Sequence, residues 1–257
     1  MSSEKNAINL VGVSKFYRTR DGGVDAVTDI TFDVKRGEFF TIIGPSGCGK
    51  STILSMIAGL SARSSGMIMV DGNPVKGPLP QHIAVAFQDP GLLPWRTVLK
   101  NVELGLEARA ELSKSKREDI AKKYLDLVGL TGFEEKYPHQ LSGGMKQRVA
   151  IARCLSLDTD TLLLDEPFGA LDEQTRLIMG EELLKILSVT SKTVLLVTHS
   201  IQEAVNLSDR ILVMSPRPGK IKKIVELKME RPRKITSPEF VGYMDELWNL
   251  IRRPSIT

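Results

Sequence analysis

A glycine-rich stretch, GPSGCGKS at residues 44–51, has the composition of a phosphate-binding loop. It matches the pattern G-x-x-x-x-G-K-[ST], in which glycines let the backbone turn its N–H groups inward around phosphate oxygens. The apolar run Phe39–Ile43 predicts a preceding strand, and the residues from about Lys50 to Leu60 predict a helix whose N-terminus adds a positive dipole end. We expect Lys50 to reach the β- and γ-phosphates of a nucleotide and the Ser51 hydroxyl to bind Mg²⁺.

Two acidic residues follow the apolar run in TLLLDEP, residues 161–167. A strand ending in Asp165 would bring a carboxylate to the carboxyl edge of a parallel sheet, where ligands bind in α/β folds. Asp165 is expected to orient Mg²⁺, largely through bound water, and Glu166 to polarise the attacking water. An acidic pair after an apolar run is weak evidence by itself, and the phosphate-binding loop earlier in the chain makes it strong.

Two other polar residues follow apolar strands. Gln88 follows HIAVAF (82–87), and His199 lies near the end of TVLLVTHS (193–200). Most isolated histidines are structural, but this placement favours a role for His199 in hydrogen bonding to the γ-phosphate and the water. The neutral amide of Gln88 can contact Mg²⁺ and the water without adding negative charge. The predicted catalytic residues are Lys50, Gln88, Glu166 and His199.

A second candidate anion-binding segment reads LSGGMKQRVAIAR, residues 141–153. A serine and two glycines precede a helical pattern with Met145, Val149 and Ala152 on one face, so free backbone N–H groups are available to an anion. Because the residues named above already complete one site, Ser142 is surplus unless a second nucleotide uses it. This surplus argues that a partner subunit supplies the nucleotide that Ser142 would contact.

The elements that position these residues change along the chain. The first forty residues alternate short β-like runs with turns and predict antiparallel strands. Apolar strands alternating with helices after residue 156 predict a parallel sheet covered on both faces. The predicted fold class is α/β, with a parallel core sheet, an N-terminal antiparallel β subdomain and an inserted helical subdomain. The predicted regions of this single domain (1–257) are 1–96 with 157–230 (core), 97–156 (helical) and 231–257 (C-terminal helical tail).

Two helical patterns define the predicted helical regions. The stretch KSKREDIAKKYLDLVGL predicts a helix with Gly129 as its C-cap and with one apolar face, formed by Ile120, Tyr124 and Leu127 or Val128. A second helix is predicted from Ser237, with Pro238 at its first position. Its apolar stripe comprises Phe240, Met244, Leu247, Trp248 and Ile251. Packing of this stripe on its own domain is favoured over binding of a partner.

The composition limits the class of protein. With 257 residues, 42% of them hydrophobic, the chain can bury a sizeable core, and two cysteines favour a reducing, cytoplasmic setting. Acidic and basic residues are interleaved at a net charge of +4, so no nucleic-acid partner is expected. No signal-peptide pattern is present, and no apolar run approaches the ~20 residues of a membrane span. Cys48 lies near Lys50 and a helix N-terminus, which predicts a reactive thiolate whose alkylation is blocked by nucleotide.

Five segments together resemble the ATPase subunits of ABC transporters in order and spacing, from about residue 7 to about residue 225. These segments are GPSGCGKST, FQ, LSGGMKQR, LLLDEPFGALD and THS. The resemblance implies a RecA-like P-loop NTPase that binds ATP and Mg²⁺. The implied nucleotide-binding residues are Tyr17, Gly44, Pro45, Ser46, Gly47, Cys48, Gly49, Lys50, Ser51, Thr52, Ser142, Gly143, Gly144 and Asp172. The implied Mg²⁺ ligands are Ser51, Gln88 and Asp165.

The resemblance also implies partners. In the family, two subunits pair head to tail, and each signature segment (Leu141–Gly144) caps the ATP on its partner's phosphate-binding loop. Transport would need polytopic membrane subunits, and the stretch GLLPW, with Leu92, Leu93 and Trp95, either packs in the core or forms an exposed apolar surface for them. An external solute-binding protein and a peripheral location on the cytoplasmic face of the inner membrane are also implied.

Met145 after Ser-Gly-Gly, GLLPWRTVLKNV and SPRPGKI look like the importer branch for nitrate, sulfonate, taurine and related nutrients. Two alternatives stay open. One is an ABC-type ATPase outside transport, against which GLLPW and the short segment between Gln88 and Leu141 argue. The other is the ATPase of an exporter or lipid-extraction complex.

Overall fold

The computed structural model describes residues 6–19 and 22–252, which form ten strands and seven α-helices. The strands are β1 (Asn6–Thr19), β2 (Gly22–Lys35), β3 (Phe39–Ile43), β4 (Ser65–Val70), β5 (Asn73–Pro74), β6 (Ile83–Ala86), β7 (Thr161–Asp165), β8 (Thr193–Val197), β9 (Arg210–Met214) and β10 (Ile221–Glu226). The α-helices are α1 (Lys50–Ile57), α2 (Val98–Glu103), α3 (Lys114–Leu127), α4 (Gly143–Ser156), α5 (Glu173–Thr190), α6 (Ile201–Leu207) and α7 (Pro238–Arg252). None of these helices is long and apolar enough to cross a membrane.

Four strands form an antiparallel sheet in the order β2-β1-β4-β5. The long strands β1 and β2 pair along most of their length, with register shifts that mark bulges. This sheet confirms the antiparallel strands predicted for the first forty residues. Its inner face packs against α1, so β2 lies beside the phosphate-binding loop that precedes this helix.

The second sheet has the order β10-β9-β3-β8-β7-β6, and all its pairs are parallel except β10 with β9. Successive residues of β7 pack on opposite faces: Leu162 and Leu164 belong to the core on the helical side, while Leu163 belongs to the core that contains α1 and the antiparallel sheet. Both faces are therefore covered, as predicted. Because β3, β6, β7 and β8 run in the same direction, their carboxyl ends lie along one edge of the sheet.

Helices α2, α3 and α4 pack together on the helical side of the parallel sheet. The apolar face predicted for α3 is partly right, because Val128 is fully buried whereas Ile120 and Tyr124 are only partly buried. The other fully buried positions are Ala121 and Leu125. The C-cap is Val128, one residue before the predicted Gly129, which follows with φ +66°. The region boundaries at 96/97, 156/157 and 230/231 stay predictions.

The C-terminal helix α7 packs on its own domain, as predicted, with Phe240 and Leu247 buried against α6 and β9. Trp248 was wrongly placed in the apolar stripe. It is 50% exposed, and the Arg252 guanidinium lies 4.7 Å from its ring centroid. A stripe of about 100° on a helix leaves no room for two bulky neighbours, so Leu247 takes the buried position and Trp248 lies at the edge.

Candidate functional site

The phosphate-binding loop connects β3 to α1 in the middle of the parallel sheet. Gly49 caps α1 with φ +98°, and a Cβ there would lie 2.9 Å from the Ala26 carbonyl oxygen, so only glycine fits. Helix α1 is shorter than predicted, since Gly59 (φ +73°) ends it and its N–H donates to the Met56 carbonyl at 3.1 Å. The Lys50 ammonium donates to the Gly44 carbonyl at 2.9 Å, which places it over the loop.

Ser51 and Asp165 meet at the mouth of this loop. The Ser51 hydroxyl donates to Asp165 Oδ1 at 3.0 Å, although the two residues are 114 positions apart in the chain. Burial raises the pKa of the Asp165 carboxyl, while the Ser51 hydrogen bond and the Lys50 charge lower it and Glu166 raises it. A hydroxyl and a carboxylate at one point are the hard oxygen donors that Mg²⁺ prefers, so the residues present fit the predicted ion.

Glu166 has a strained backbone, with φ +47°, directly after β7. Such a conformation costs of order 1–3 kcal/mol and concentrates at functional sites. The Glu166 N–H donates to the Val197 carbonyl at 2.8 Å, which fixes the turn against β8. Its Oε2 atom accepts from Gln88 Nε2 at 3.3 Å and lies 3.1 Å from His199 Nδ1. Three predicted catalytic side chains thus meet at one carboxylate.

A cavity of about 500 Å³ lies between the phosphate-binding loop, the first turn of α1 and these strand ends. Its lining residues are Tyr17, Val24, Ala26, Ser46, Gly47, Gly49, Lys50, Ser51, Thr52, Gln88, Glu166, His199 and Arg217. Three of them, Val24, Ala26 and Arg217, were missed by sequence reasoning. The first two look like ordinary strand residues, and Arg217 lies in a proline-rich loop that no local pattern links to the site.

The expectation of a reactive Cys48 thiolate is wrong. The side chain is fully buried and its Sγ lies 4.0 Å from Met214 Sδ, on the side of the loop that faces the core. Burial raises the pKa of the thiol and outweighs the lowering effect of Lys50. A thiol in this position is shielded from alkylation by packing rather than by nucleotide, and any contact of Cys48 with phosphate must come from its backbone.

The second predicted anion-binding segment does not line this cavity. Ser142 is the N-cap of α4, where its hydroxyl oxygen accepts from the Met145 N–H at 3.3 Å, and it is exposed together with Gly143. Asp172, which was expected to bind nucleotide, does not line the cavity either. Its carboxylate caps α5 and accepts from the Thr175 N–H at 2.9 Å. The hydrogen bond from the Thr175 hydroxyl holds the pKa of Asp172 below its usual range.

The stretch GLLPW has one side chain packed in the core and another exposed, so both alternatives that the sequence left open apply to part of it. Leu92 is partly buried against the helical core, whereas Trp95 is 72% exposed. The turn between them is held by the buried amide of Asn101, which accepts from the Leu93 N–H at 2.8 Å and donates to the carbonyl of Arg96 at 3.1 Å. Trp95 is therefore presented to solvent on a fixed turn.

The turn that carries His199 rests on a buried acid. The Thr198 hydroxyl donates to Glu203 Oε2 at 2.8 Å and accepts from the Ser200 N–H at 3.0 Å. The other carboxylate oxygen of Glu203 is buried and has no hydrogen-bond partner among the described residues. Burial raises the pKa of Glu203 to about 7, whereas the Thr198 bond and Arg176 lower it.

Replacing Glu203 with glutamine is expected to stabilise the fold above pH 7. The folded pKa of about 7 exceeds the usual value of 4.5, so the folded state binds more protons between these values and its stability falls as the pH rises through this window. At ~1.4 kcal/mol per pKa unit, ionisation of the buried acid lowers the free energy of unfolding by about 3 kcal/mol. Urea unfolding of both proteins at pH 5 and pH 8 checks this, since only at pH 8 should the variant exceed the wild type. An equal difference at both pH values would contradict it.

Comparison with known proteins identifies the family of the chain. A family model described as ABC transporter matches residues 27–169. An uncharacterized ABC transporter ATP-binding protein of Methanocaldococcus jannaschii is 50% identical over 96% of this chain and 92% of its own. An aliphatic sulfonates import ATP-binding protein of Bacillus cereus, SsuB, is 44% identical over 91% of each chain.

A solved structure shares the fold. It is a dimeric ATP-binding cassette in a post-hydrolysis state with ADP and Pi, 33% identical, with a TM-score of 0.81 over 87% of this chain and all of that one. The predicted α/β P-loop NTPase fold is thereby confirmed. The matched segment spans the phosphate-binding loop, the signature segment and the acidic pair. The chain belongs to the ABC transporter family and is one of its ATP-binding, ATP-hydrolysing subunits.

Proposed function

We propose that this chain drives an importer of a small solute, such as nitrate, a sulfonate or taurine, from the cytoplasmic face of the inner membrane. The 44% identity to SsuB, a protein named for aliphatic sulfonate import, supports the direction and the class of solute. Polytopic membrane subunits would form the pathway, and an external protein would deliver the solute. The observation that carries the membrane partners is Trp95, which is 72% exposed on a fixed turn seven residues after Gln88 of the nucleotide cavity.

The side chains around Glu166 would carry out hydrolysis. Glu166 accepts a proton from the attacking water, while His199 and Gln88, both hydrogen-bonded to its carboxylate, orient the water and the γ-phosphate. Lys50 leaves its carbonyl partners to contact the β- and γ-phosphates. Ser51, Asp165 and Gln88 would hold Mg²⁺, which when bound neutralises charge on the β- and γ-phosphate oxygens. Tyr17, 41% exposed at the cavity wall, offers a ring for adenine to stack on.

Two copies of the chain would close around two ATP molecules. Ser142 and Gly143 are exposed at the N-terminus of α4, outside their own chain's cavity, and therefore accessible to the nucleotide of a second copy. A dimer with ligand on both sides opens when hydrolysis removes the shared γ-phosphate. Asp172 lies on the segment that touches α4, since a Cβ on Gly144 would lie 2.8 Å from Leu171 Cδ2.

A membrane subunit docked at Trp95 would be coupled to the nucleotide site through a few contacts. Gln88, which donates to Glu166, lies seven residues before Trp95 in the chain. Between them, the Pro90 and Gly91 carbonyls accept from the Arg153 guanidinium at 2.6 and 3.0 Å, and Arg153 belongs to the same helix as the signature segment. A displacement of this turn therefore acts on both the γ-phosphate contact and α4.

Replacing Trp95 with aspartate is expected to release the chain from its membrane subunits. A buried tryptophan anchor is often worth 2 kcal/mol or more, so binding should fall ~10-fold or more. The measurement is the fraction of chain that sediments with native membranes and stays with a polytopic protein in mild detergent. Trp248→Asp is the matched control, because Trp248 is also exposed and lies on α7. Equal retention of both variants would contradict docking at Trp95.

The transport direction and solute are tested in cells. Cells in which Glu166→Gln replaces the native chain should lose uptake of labelled taurine, an aliphatic sulfonate or nitrate, and uptake should return with the wild-type chain. Intact uptake of all three with impaired efflux of another compound would favour an exporter. Absence of any membrane partner would favour an ATPase outside transport.

A further inference from the structure

We propose that Arg217 is a phosphate-binding residue of the nucleotide site and contacts the phosphate chain beside Gly47. Arg217 lines the cavity, and its Nη2 atom lies 3.6 Å from the point that a Cβ on Gly47 would occupy. Gly47 belongs to the loop whose N–H groups surround the phosphates. The inference rests on the proposed nucleotide site and adds a second cation to it.

The Arg217 side chain is exposed, and its guanidinium has no hydrogen bond or ion pair with any residue in the described ranges 6–19 and 22–252. Other arginines near it in the sequence are partnered: Arg210 pairs with Glu38 at 3.2 Å, and Arg231 pairs with Asp209 at 2.8 Å. An arginine presents five donors in a fixed fork that matches phosphate oxygens. An unpaired guanidinium in the nucleotide cavity is complementary to the negatively charged phosphate chain.

The loop that carries Arg217 is anchored at both ends, so its backbone is held beside the cavity. The Ser215 N–H donates to the Lys220 carbonyl at 2.9 Å, and the Ser215 hydroxyl oxygen accepts from the Lys220 N–H at 3.0 Å. The Gly219 N–H donates to the Ala26 carbonyl at 3.1 Å, and the Gly219 carbonyl accepts from Thr28 at 3.0 Å. Ala26 lines the same cavity, so this loop forms one wall with β2.

The same loop packs directly on the phosphate-binding loop. A Cβ on Gly219 would collide with the Cys48 carbonyl oxygen, so the two backbones are in contact. Met214, at the end of β9, contacts the Cys48 sulfur from the core side. Because Arg217 lies two residues before this contact, its distance from the phosphate cradle is set by backbone packing. The backbone that carries Arg217 is therefore fixed beside the phosphate cradle, and only the exposed side chain has to be ordered when phosphate binds.

The test is titration of ATP, ADP and AMP into Arg217→Gln by a fluorescent-nucleotide displacement assay. A charge-assisted hydrogen bond at a partly exposed site should be worth a ~5- to 20-fold loss for ATP. The loss should be smaller for ADP and within about two-fold for AMP, because the cation acts on the outer phosphates. Arg217→Lys should recover part of the affinity, since it keeps the charge without the fork.

Lys220→Gln is the matched control, because it removes a charge from the same loop outside the cavity lining and should leave all three affinities within about two-fold. Thermal unfolding without nucleotide should be equal for all variants. An equal loss for ATP, ADP and AMP would overturn the proposal in favour of stacking on the base, and unchanged affinity would overturn it in favour of a surface cation. Wild-type chain that binds no nucleotide would instead contradict the proposed site itself.

Discussion

Replacing Glu166 with glutamine is expected to slow ATP hydrolysis by ~10²–10⁴-fold, the range for loss of a general base. ATP binding should persist, because the phosphate cradle and Lys50 are untouched. The amide keeps the shape of the carboxylate, and its oxygen can still accept from Gln88, whose Nε2 lies 3.3 Å from Glu166 Oε2. The loss would therefore report the missing proton acceptor rather than a collapsed site.

Single-turnover hydrolysis and gel filtration with ATP test this prediction together. The variant should accumulate as a closed dimer with ATP and as a monomer with ADP, because ATP is bound but not consumed. Glu226→Gln is the control, since Glu226 lies on the exposed edge strand β10 and should leave turnover unchanged. Near-normal turnover in Glu166→Gln would remove the assignment of Glu166 as the base.

The residues of the phosphate-binding loop and of the strand ends around Glu166 could be predicted because each of them is fixed by local sequence. Lys50 and Ser51 follow a glycine-rich turn, and Asp165 ends a strand of five buried residues. His199 and Gln88 follow strands that run parallel to it in the same sheet. Residues after the carboxyl ends of parallel strands share one edge, so the strand pattern alone implies that they meet.

Other features depend on packing between distant segments and leave no local pattern. Cys48 lies two residues before cationic Lys50, yet its thiol is buried against Met214 at the end of β9. Arg217 lines the cavity because Gly219 packs on the Cys48 carbonyl and donates to the Ala26 carbonyl, which holds the loop there. Glu203 looks like a solvated helical acid, and its buried bond to Thr198 appears only in three dimensions.

The separation of the two anion-binding segments within one chain leads to the second large expected effect. The signature residues Ser142–Gly144 do not line the cavity that contains Lys50. A site that is completed within one chain would need them there. In a dimer where each signature contacts the nucleotide bound by the other chain, two defective subunits can complement each other. One subunit with a defective phosphate-binding loop and another with a defective signature then form one intact site.

Mixing a Lys50→Ala chain with a Ser142→Arg, Glu166→Gln chain is expected to occlude one ATP per mixed dimer, whereas each chain alone occludes none. In the mixed dimer, the intact phosphate-binding loop of the second chain faces the intact signature of the first, and Glu166→Gln prevents that ATP from being hydrolysed. Within each single chain, one of the two segments is always defective. Retention of labelled ATP on a desalting column measures occlusion. The controls are that both chains are folded and that the Glu166→Gln homodimer retains ATP. If the mixture then retains no ATP, the site is not shared between subunits.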